Sequence, residues 1–123
     1  MASVKSQRTG PEEKVSKILR KLKIKHRRNV KTLPGKPDFV IKSSNTIIFV
    51  HGCFWHGHNN CQYARTPKTN KKFWRQKVIN NKRRDRRIYR LLRKAGWHIV
   101  TIWQCRLKNP NQVERRLSRI LLN

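Results

Sequence analysis

Apolar residues recur along the chain at helical spacing in three places. The first stripe has the i, i+3, i+4 and i+7 spacing of one helical face and consists of Val15, Ile18, Leu19 and Leu22. Thr9 is a candidate cap before Pro11 and two acids, which is typical of a helix start. The same spacing recurs over residues 71–95, which Gly96 ends, and again after Pro110, so three helices are predicted.

Two short runs rich in β-branched residues, 38–41 and 46–51, predict buried strands, and the polar turn between them predicts a hairpin. Residues 97–103 are also β-prone and predict a further strand. Residues 52–69 are rich in Gly, His, Asn and Cys and are expected to form an irregular loop. The order of these elements predicts a small α/β fold with helices flanking one mixed sheet.

Length and charge narrow the class of protein. The chain has 123 residues, which fits one domain, here residues 9–123 after a flexible segment over residues 1–8. It carries 32 Lys and Arg against 5 Asp and Glu, a formal net charge of +27. A phosphate backbone is the usual partner that neutralises such a field. Nucleic acid is therefore the expected partner.

Other classes of protein are disfavoured. No apolar stretch approaches about 18 residues and no apolar signal peptide is present, so neither a membrane-spanning nor a secreted protein is expected. Peripheral membrane binding is disfavoured because the basic residues are spread widely along the chain. Three cysteines are an odd number, which argues against a disulfide framework and favours a reducing interior with free thiols or a metal.

Asp38 and His51 are the first candidate site residues. Asp38 begins one predicted strand and His51 ends the next, so antiparallel pairing could bring them together. An aspartate after a proline is a common turn residue. Alternatively, Asp38 binds Mg²⁺, because a carboxylate that faces phosphate in so basic a protein is otherwise repulsive.

The irregular loop contains a compact group of metal-ligand residue types. Cys53, His58 and Cys61 lie within nine residues, and Cys105 follows the last predicted strand. Together they would complete a tetrahedral zinc site of the structural kind, and the alternative is three inert thiols. His56 in the same loop is either a surface histidine or, beside an acid and a metal, a proton acceptor at neutral pH.

The long predicted helix is strongly basic, since 12 of the residues from 71 to 94 are Lys or Arg. These charges have few acids to pair with, which favours phosphate contact over a merely solvated face. Phe54, Trp55, Phe73 and Trp74 lie in or next to the basic, polar segments. They either cover the core or stack on bases.

Several motifs together resemble the very-short-patch repair (Vsr) endonuclease family. They are LPGKPDF at residues 33–39, FVHGCFWHGH at 49–58, FW at 73–74, NxxxD at 81–85, GW at 96–97 and IWQC at 102–105. Their order and spacing fit the family over nearly the whole chain, and HGCFWH is highly specific.

The resemblance implies a small restriction-endonuclease-like (PD-(D/E)xK-type) mixed sheet with a structural zinc loop. It also implies a DNA endonuclease that nicks one strand beside a T:G mismatch left by deamination of 5-methylcytosine. By matching position, Asp38 and the main chain of Val50 would hold catalytic Mg²⁺. His56, oriented by Asp85, would be the general base for the attacking water.

The resemblance assigns the remaining site residues in the same way. His51 and Glu12 would support the catalytic site. The structural zinc would be held by Cys53, His58, Cys61 and Cys105. Residues that match the family's intercalating aromatics are Phe54, Trp55 and Trp74, and those that match its base-facing positions are Lys77 and Asn81. Val50 stands where the family pattern has a threonine, and one extra residue separates His58 from Cys61.

The expected partner is therefore duplex DNA with a mismatch, bound by a monomer in the cytoplasm near the nucleoid, with mismatch-repair proteins as further partners and no membrane. Two alternatives stay open. One is a related homing-type or less specific endonuclease that cuts paired duplex, and the other is a non-catalytic, zinc-stapled DNA-binding module.

Overall fold

The computed structural model describes residues 10–58, 61, 64 and 68–122. Within them the chain forms α1 (Gly10–Lys21), β1 (Arg27–Arg28), β2 (Phe39–Ile41), β3 (Thr46–His51), α2 (Lys71–Lys94), β4 (His98–Trp103) and α3 (Pro110–Leu122). Short 3₁₀ turns follow β2 at Lys42–Ser44 and β4 at Gln104–Lys108. The predicted mixed α/β class is confirmed.

The four strands form one sheet in the order β1-β2-β3-β4. β2 and β3 pair antiparallel as the predicted hairpin, with Phe39 opposite Ile48. β3 and β4 pair in parallel, with Val50 opposite Ile102, and such a pair needs a crossover, which α2 supplies. The antiparallel register brings Asp38, just before β2, next to the end of β3.

Both faces of the sheet are covered by helices. Neighbouring residues of a strand point to opposite faces, so Ile47 and Ile48 enter different apolar clusters. Ile48 packs with Leu19 of α1 and Leu117 of α3. Ile47 packs on the opposite face with Leu92 of α2. The basic helix α2 therefore lies alone on one side of the sheet.

The carboxyl end of α2 lies where the sequence predicted it. Gly96 adopts φ +96°, and the N–H of Trp97 donates to the Leu92 carbonyl at 3.1 Å, so α2 ends as predicted. This closing turn makes β4 begin at His98, one residue later than expected. The predicted cap Thr9 and the predicted flexible segment 1–8 lie outside the described residues. In the described part, no helix is long and apolar enough to cross a membrane.

Candidate functional site

Two carboxyl groups meet at the end of the hairpin. The Val50 N–H donates to Asp38 Oδ2 at 2.7 Å, and Glu12 of α1 hydrogen-bonds to the Asp38 side chain. Burial raises the pKa of Asp38 to about 7 against the opposing Val50 hydrogen bond, and the Glu12 carboxyl raises it further. Two carboxyls in contact need a shared proton or a cation between them. Their oxygen donors fit a hard divalent ion such as Mg²⁺.

The two predicted histidines lie against each other beside this pair. His56 Nδ1 and Asp85 Oδ2 are 2.6 Å apart, so Nδ1–H donates to the carboxylate oxygen and Nε2 lies outside this pair. The His51 ring stacks on the His56 ring with centroids 3.7 Å apart and planes 4° apart. Burial lowers the pKa of His51 to about 4, with His56 acting in the same direction, so His51 is neutral at pH 7.

The histidine pair and Asp85 are close enough to be considered as a metal site. Their ligand atoms lie within 4.8 Å of one another. However, an imidazole lone pair lies in the ring plane, and the two nearly parallel rings are stacked with centroids 3.7 Å apart. One ion at roughly 2.1 Å from both nitrogens is incompatible with that stacking. The geometry favours a histidine held by a carboxylate over a metal centre.

One cavity unites four of the five predicted catalytic residues; Glu12 is not among its lining residues and reaches the site through its contact with Asp38. A space of about 480 Å³ is lined by residues that include Asp38, Val50, His51, His56 and Asp85. The side chains of Lys36 and Arg84 also line it, which makes the cavity suitable for an anion. Antiparallel pairing, the loop after β3 and helix α2 thus converge on a single site.

Tyr89 also lines this cavity, although it was not among the predicted site residues. Its hydroxyl lies 3.2 Å from His51 Nε2 and 3.5 Å from Thr101 Oγ1. Tyr89 follows Asp85 by four residues, so helical spacing alone places both side chains on one face of α2. That spacing was the available signal.

The four predicted metal ligands converge in a second place. Ligand atoms of Cys53, His58, Cys61 and Cys105 all lie within 4.8 Å of one another. Burial raises the pKa of the Cys53 thiol to about 12, and the side chains of Cys105 and Cys61 contribute, because neighbouring thiolates repel. A soft cation removes that repulsion, so this donor set fits a metal ion better than three unrelated thiols do.

The aromatic side chains near the cavity form a cluster of their own. The Trp55 ring centroid lies 5.0 Å from that of Phe54 and 5.6 Å from that of Trp74. Trp55 is 45% exposed and Phe73, next to Trp74, is 56% exposed. These four rings belong to neither apolar cluster on the two sheet faces of the described chain. That these rings stack on bases stays a prediction.

The two predicted base-facing residues occupy different positions on α2. Lys77 is exposed, whereas Asn81 is partly buried and its Nδ2 donates to the Trp55 carbonyl at 2.9 Å. Asn81 thus ties α2 to the loop that carries Trp55 and His56. Two further contacts hold the same loop on the helix, the His56–Asp85 pair and the close approach of Gly57 to Val78.

Gly57 provides a test of that loop contact. Its φ is +60°, and a Cβ would lie 2.5 Å from Lys82 Cε and 2.7 Å from Val78 Cγ1. We expect Gly57→Ala to destabilise the protein by roughly 2–3 kcal/mol, because backbone strain and a clash add. Thermal unfolding measures the loss.

The matched control is Gly96→Ala, which has a φ of +96° but open space around the new Cβ. This variant has the backbone strain without the clash, so we expect it to lower the free energy of unfolding by roughly 1 kcal/mol. Equal unfolding temperatures for the two variants would contradict close packing of the loop on α2.

Comparisons with known proteins agree with this geometry. A family model described as "DNA mismatch endonuclease Vsr" matches residues 1–62. A Xanthomonas oryzae pv. oryzae protein named "Type II nicking enzyme V.XorIIP" is 40% identical over 121 residues, covering 98% of this chain and 88% of the relative. The Escherichia coli K12 protein "DNA mismatch endonuclease Vsr" is 35% identical over 113 residues, covering 92% of this chain and 72% of the relative. A Neisseria meningitidis serogroup A nicking enzyme, V.NmeAIP, is 38% identical over 98% of this chain and 86% of its own length.

Proposed function

The chain belongs to the Vsr family of DNA mismatch endonucleases, and from this premise we propose that it nicks one strand of duplex DNA beside a T:G mismatch, with Mg²⁺ as cofactor. The observation that carries the proposal is the convergence of Asp38 and the His56–Asp85 pair in one cavity. The exposed aromatic cluster beside it supports recognition of distorted DNA.

His56 supplies the general base in this proposal. Its Nε2 accepts a proton from a water molecule while Asp85 holds the proton on Nδ1, and the imidazolium that forms is stabilised by the same carboxylate. The water oxygen attacks phosphorus in line with the leaving sugar oxygen, whose bond to phosphorus breaks. His51 stays neutral and keeps the His56 ring in its plane by stacking.

Asp38 and the main chain of Val50 would hold Mg²⁺, with Glu12 adjacent to Asp38. When bound, the ion neutralises charge that develops on the phosphate oxygens. Lys36 and Arg84 line the same cavity and attract the phosphate. We therefore assign the cavity to the scissile phosphate, in a core of the restriction-endonuclease type.

Zinc is the proposed occupant of the second cluster. Three cysteines and one histidine leave no open position on a tetrahedral ion, so its role is structural. Cys53 and His58 bracket the segment that carries Phe54, Trp55 and His56. The zinc thus fixes the aromatic cluster and the general base together.

Phe54, Trp55 and Trp74 are the proposed wedge between base steps, with Lys77 and Asn81 facing the bases. A mismatched step unstacks at lower cost than a paired one, so a wedge favours the mismatch. Trp55 is the most suitable member because almost half of its surface is exposed.

Replacing Trp55 with alanine is expected to slow nicking of a T:G duplex by about 10- to 100-fold, since one aromatic stack on a base contributes about 1–3 kcal/mol. Single-turnover nicking rates on T:G and T:A duplexes measure the effect. Phe73→Ala is the control, because Phe73 is at least as exposed as Trp55 but outside the proposed wedge. A larger loss in Phe73→Ala than in Trp55→Ala would contradict the assignment.

A supercoiled circle that contains one T:G pair tests the proposed reaction. With Mg²⁺ we expect conversion to the open circle without linear product, because one active site cuts one strand. Chelation of Mg²⁺ should stop the reaction. Linear product as the first species, or cutting without divalent metal, would count against the proposal.

A further inference from the structure

A cleft of about 500 Å³ lies on the flank of α2, toward its carboxyl end. It is lined by Arg86, Tyr89, Arg90, Arg93 and Lys94, which we call the arginine cleft. The four cations stand at i, i+4, i+7 and i+8, so they share one side of the helix. All four are exposed.

Among the residues that the structure describes, these cations have no acidic partner. The chain has 5 Asp and Glu, and each is engaged elsewhere. Glu13 pairs with Arg20 and Arg28, and Glu114 pairs with Lys21. The other three carboxyls are those already described at the catalytic cavity. Four like charges on one concave surface are unfavourable unless an external anion binds there.

Tyr89 connects the arginine cleft to the catalytic cavity, because it lines both. Its hydroxyl faces His51 on one side at 3.2 Å. The Arg93 guanidinium, which lines the arginine cleft, lies 5.8 Å from the centre of the Tyr89 ring. A DNA strand that leaves the cavity past Tyr89 therefore meets the arginine cleft directly.

The position of the arginine cleft along α2 indicates which part of the DNA it would contact. Trp74 of the proposed wedge lies in the first turn of α2, Asn81 lies near its middle, and Asp85 lies one turn further toward the carboxyl end. A helix of 24 residues spans about 36 Å, close to one turn of duplex. The arginine cleft lies beyond the cavity on the side opposite to the wedge.

We propose that the arginine cleft binds backbone phosphates of the strand being cut, on the side of the scissile phosphate away from the wedge. The assignment of the cavity to the scissile phosphate comes from the proposed function, and the cleft extends it. The cleft would hold the strand in line with His56 without contacting any base.

The test compares two double variants with equal loss of charge. Arg90→Gln with Arg93→Gln removes two positive charges from the arginine cleft. Arg115→Gln with Arg119→Gln removes two exposed charges from α3, on the opposite face of the sheet. DNA binding is measured without added Mg²⁺ and without a chelator, so that the strand stays uncut and the zinc is kept, over a range of salt concentrations. Each lost phosphate contact lowers the slope of log K against log salt by about 0.9. We expect a decrease of about 2 for the cleft variant and clearly less for the control.

Neutral methylphosphonate linkages then locate the contact, scanned one at a time along both strands of a T:G duplex. We expect a few linkages on one side of the cut to weaken wild-type binding several-fold and to have no further effect on the cleft variant. Arg90→Gln alone keeps the Arg93–Tyr89 contact and should give about half of the slope change.

Two outcomes would overturn the inference: equal slopes for the cleft and control variants, or a sensitive linkage that lies on the uncut strand. Because the scan needs no cleavage, a protein that fails to nick but keeps variant-sensitive linkages would contradict the proposed function and leave the phosphate contact established.

Discussion

His56→Ala lowers the nicking rate by at least about 10³-fold and changes DNA affinity by less than about threefold, because a general base contributes about 10²–10⁴ in rate. The His56 side chain lines the catalytic cavity, and Asp85 Oδ2 fixes its Nδ1 at 2.6 Å. Binding energy comes chiefly from phosphate contacts, which the substitution leaves in place. Single-turnover nicking and equilibrium binding on the same T:G duplex separate the two effects.

His98→Ala is the control for that experiment, since His98 is exposed at the start of β4 and does not line the cavity. It should nick at the wild-type rate. Asp38→Ala should match His56→Ala, with cleavage lost and binding kept. Equal loss of rate and affinity in His56→Ala would contradict its role in the chemistry.

Removal of the proposed structural zinc is expected to have the second large effect. Cys61→Ser takes one ligand from the cluster, and the loop that carries Trp55 and His56 then loses its anchor at Cys53 and His58. We expect about 3 kcal/mol of lost stability, which lowers the unfolding temperature by roughly 10–15 °C in a chain of this size. Nicking should be lost with it.

Metal analysis of freshly purified protein should give about one zinc per chain. Wild type stripped by a chelator should regain its unfolding temperature with Zn²⁺ and not with Mg²⁺, because the donors are soft. A metal-free protein with unchanged unfolding temperature and activity would contradict the structural role.

The helices could be predicted because each buries one face. Val15, Leu19 and Leu117 carry the 3.6-residue period that packing on a sheet requires, and Gly96 marks a real helix end. β1 could not be predicted, since Arg27 and Arg28 carry no apolar signal. Its two residues become a strand only through pairing with Val40 and Phe39 of β2, which is a tertiary effect.

The grouping of several candidate site residues was predictable from the sequence, their geometry was less so, and their roles stay predictions. Spacing brought Cys53, His58 and Cys61 together, and the hairpin placed Asp38 beside the end of β3. The parallel stacking of His51 on His56 depends on how the loop docks on α2, and no local pattern encodes that docking. Tyr89 was missed although its spacing of four residues from Asp85 places both side chains on one face of α2.

The most direct measurement is strand-specific nicking of two end-labelled duplexes that differ only in one pair, T:G against C:G, in Mg²⁺ at moderate salt. Moderate salt limits the nonspecific binding that a net charge of +27 favours. We expect a nick in the T-containing strand of the T:G duplex alone, and no nick with Asp38→Ala. Equal cutting of both duplexes, or tight binding without any cut, would contradict this expectation.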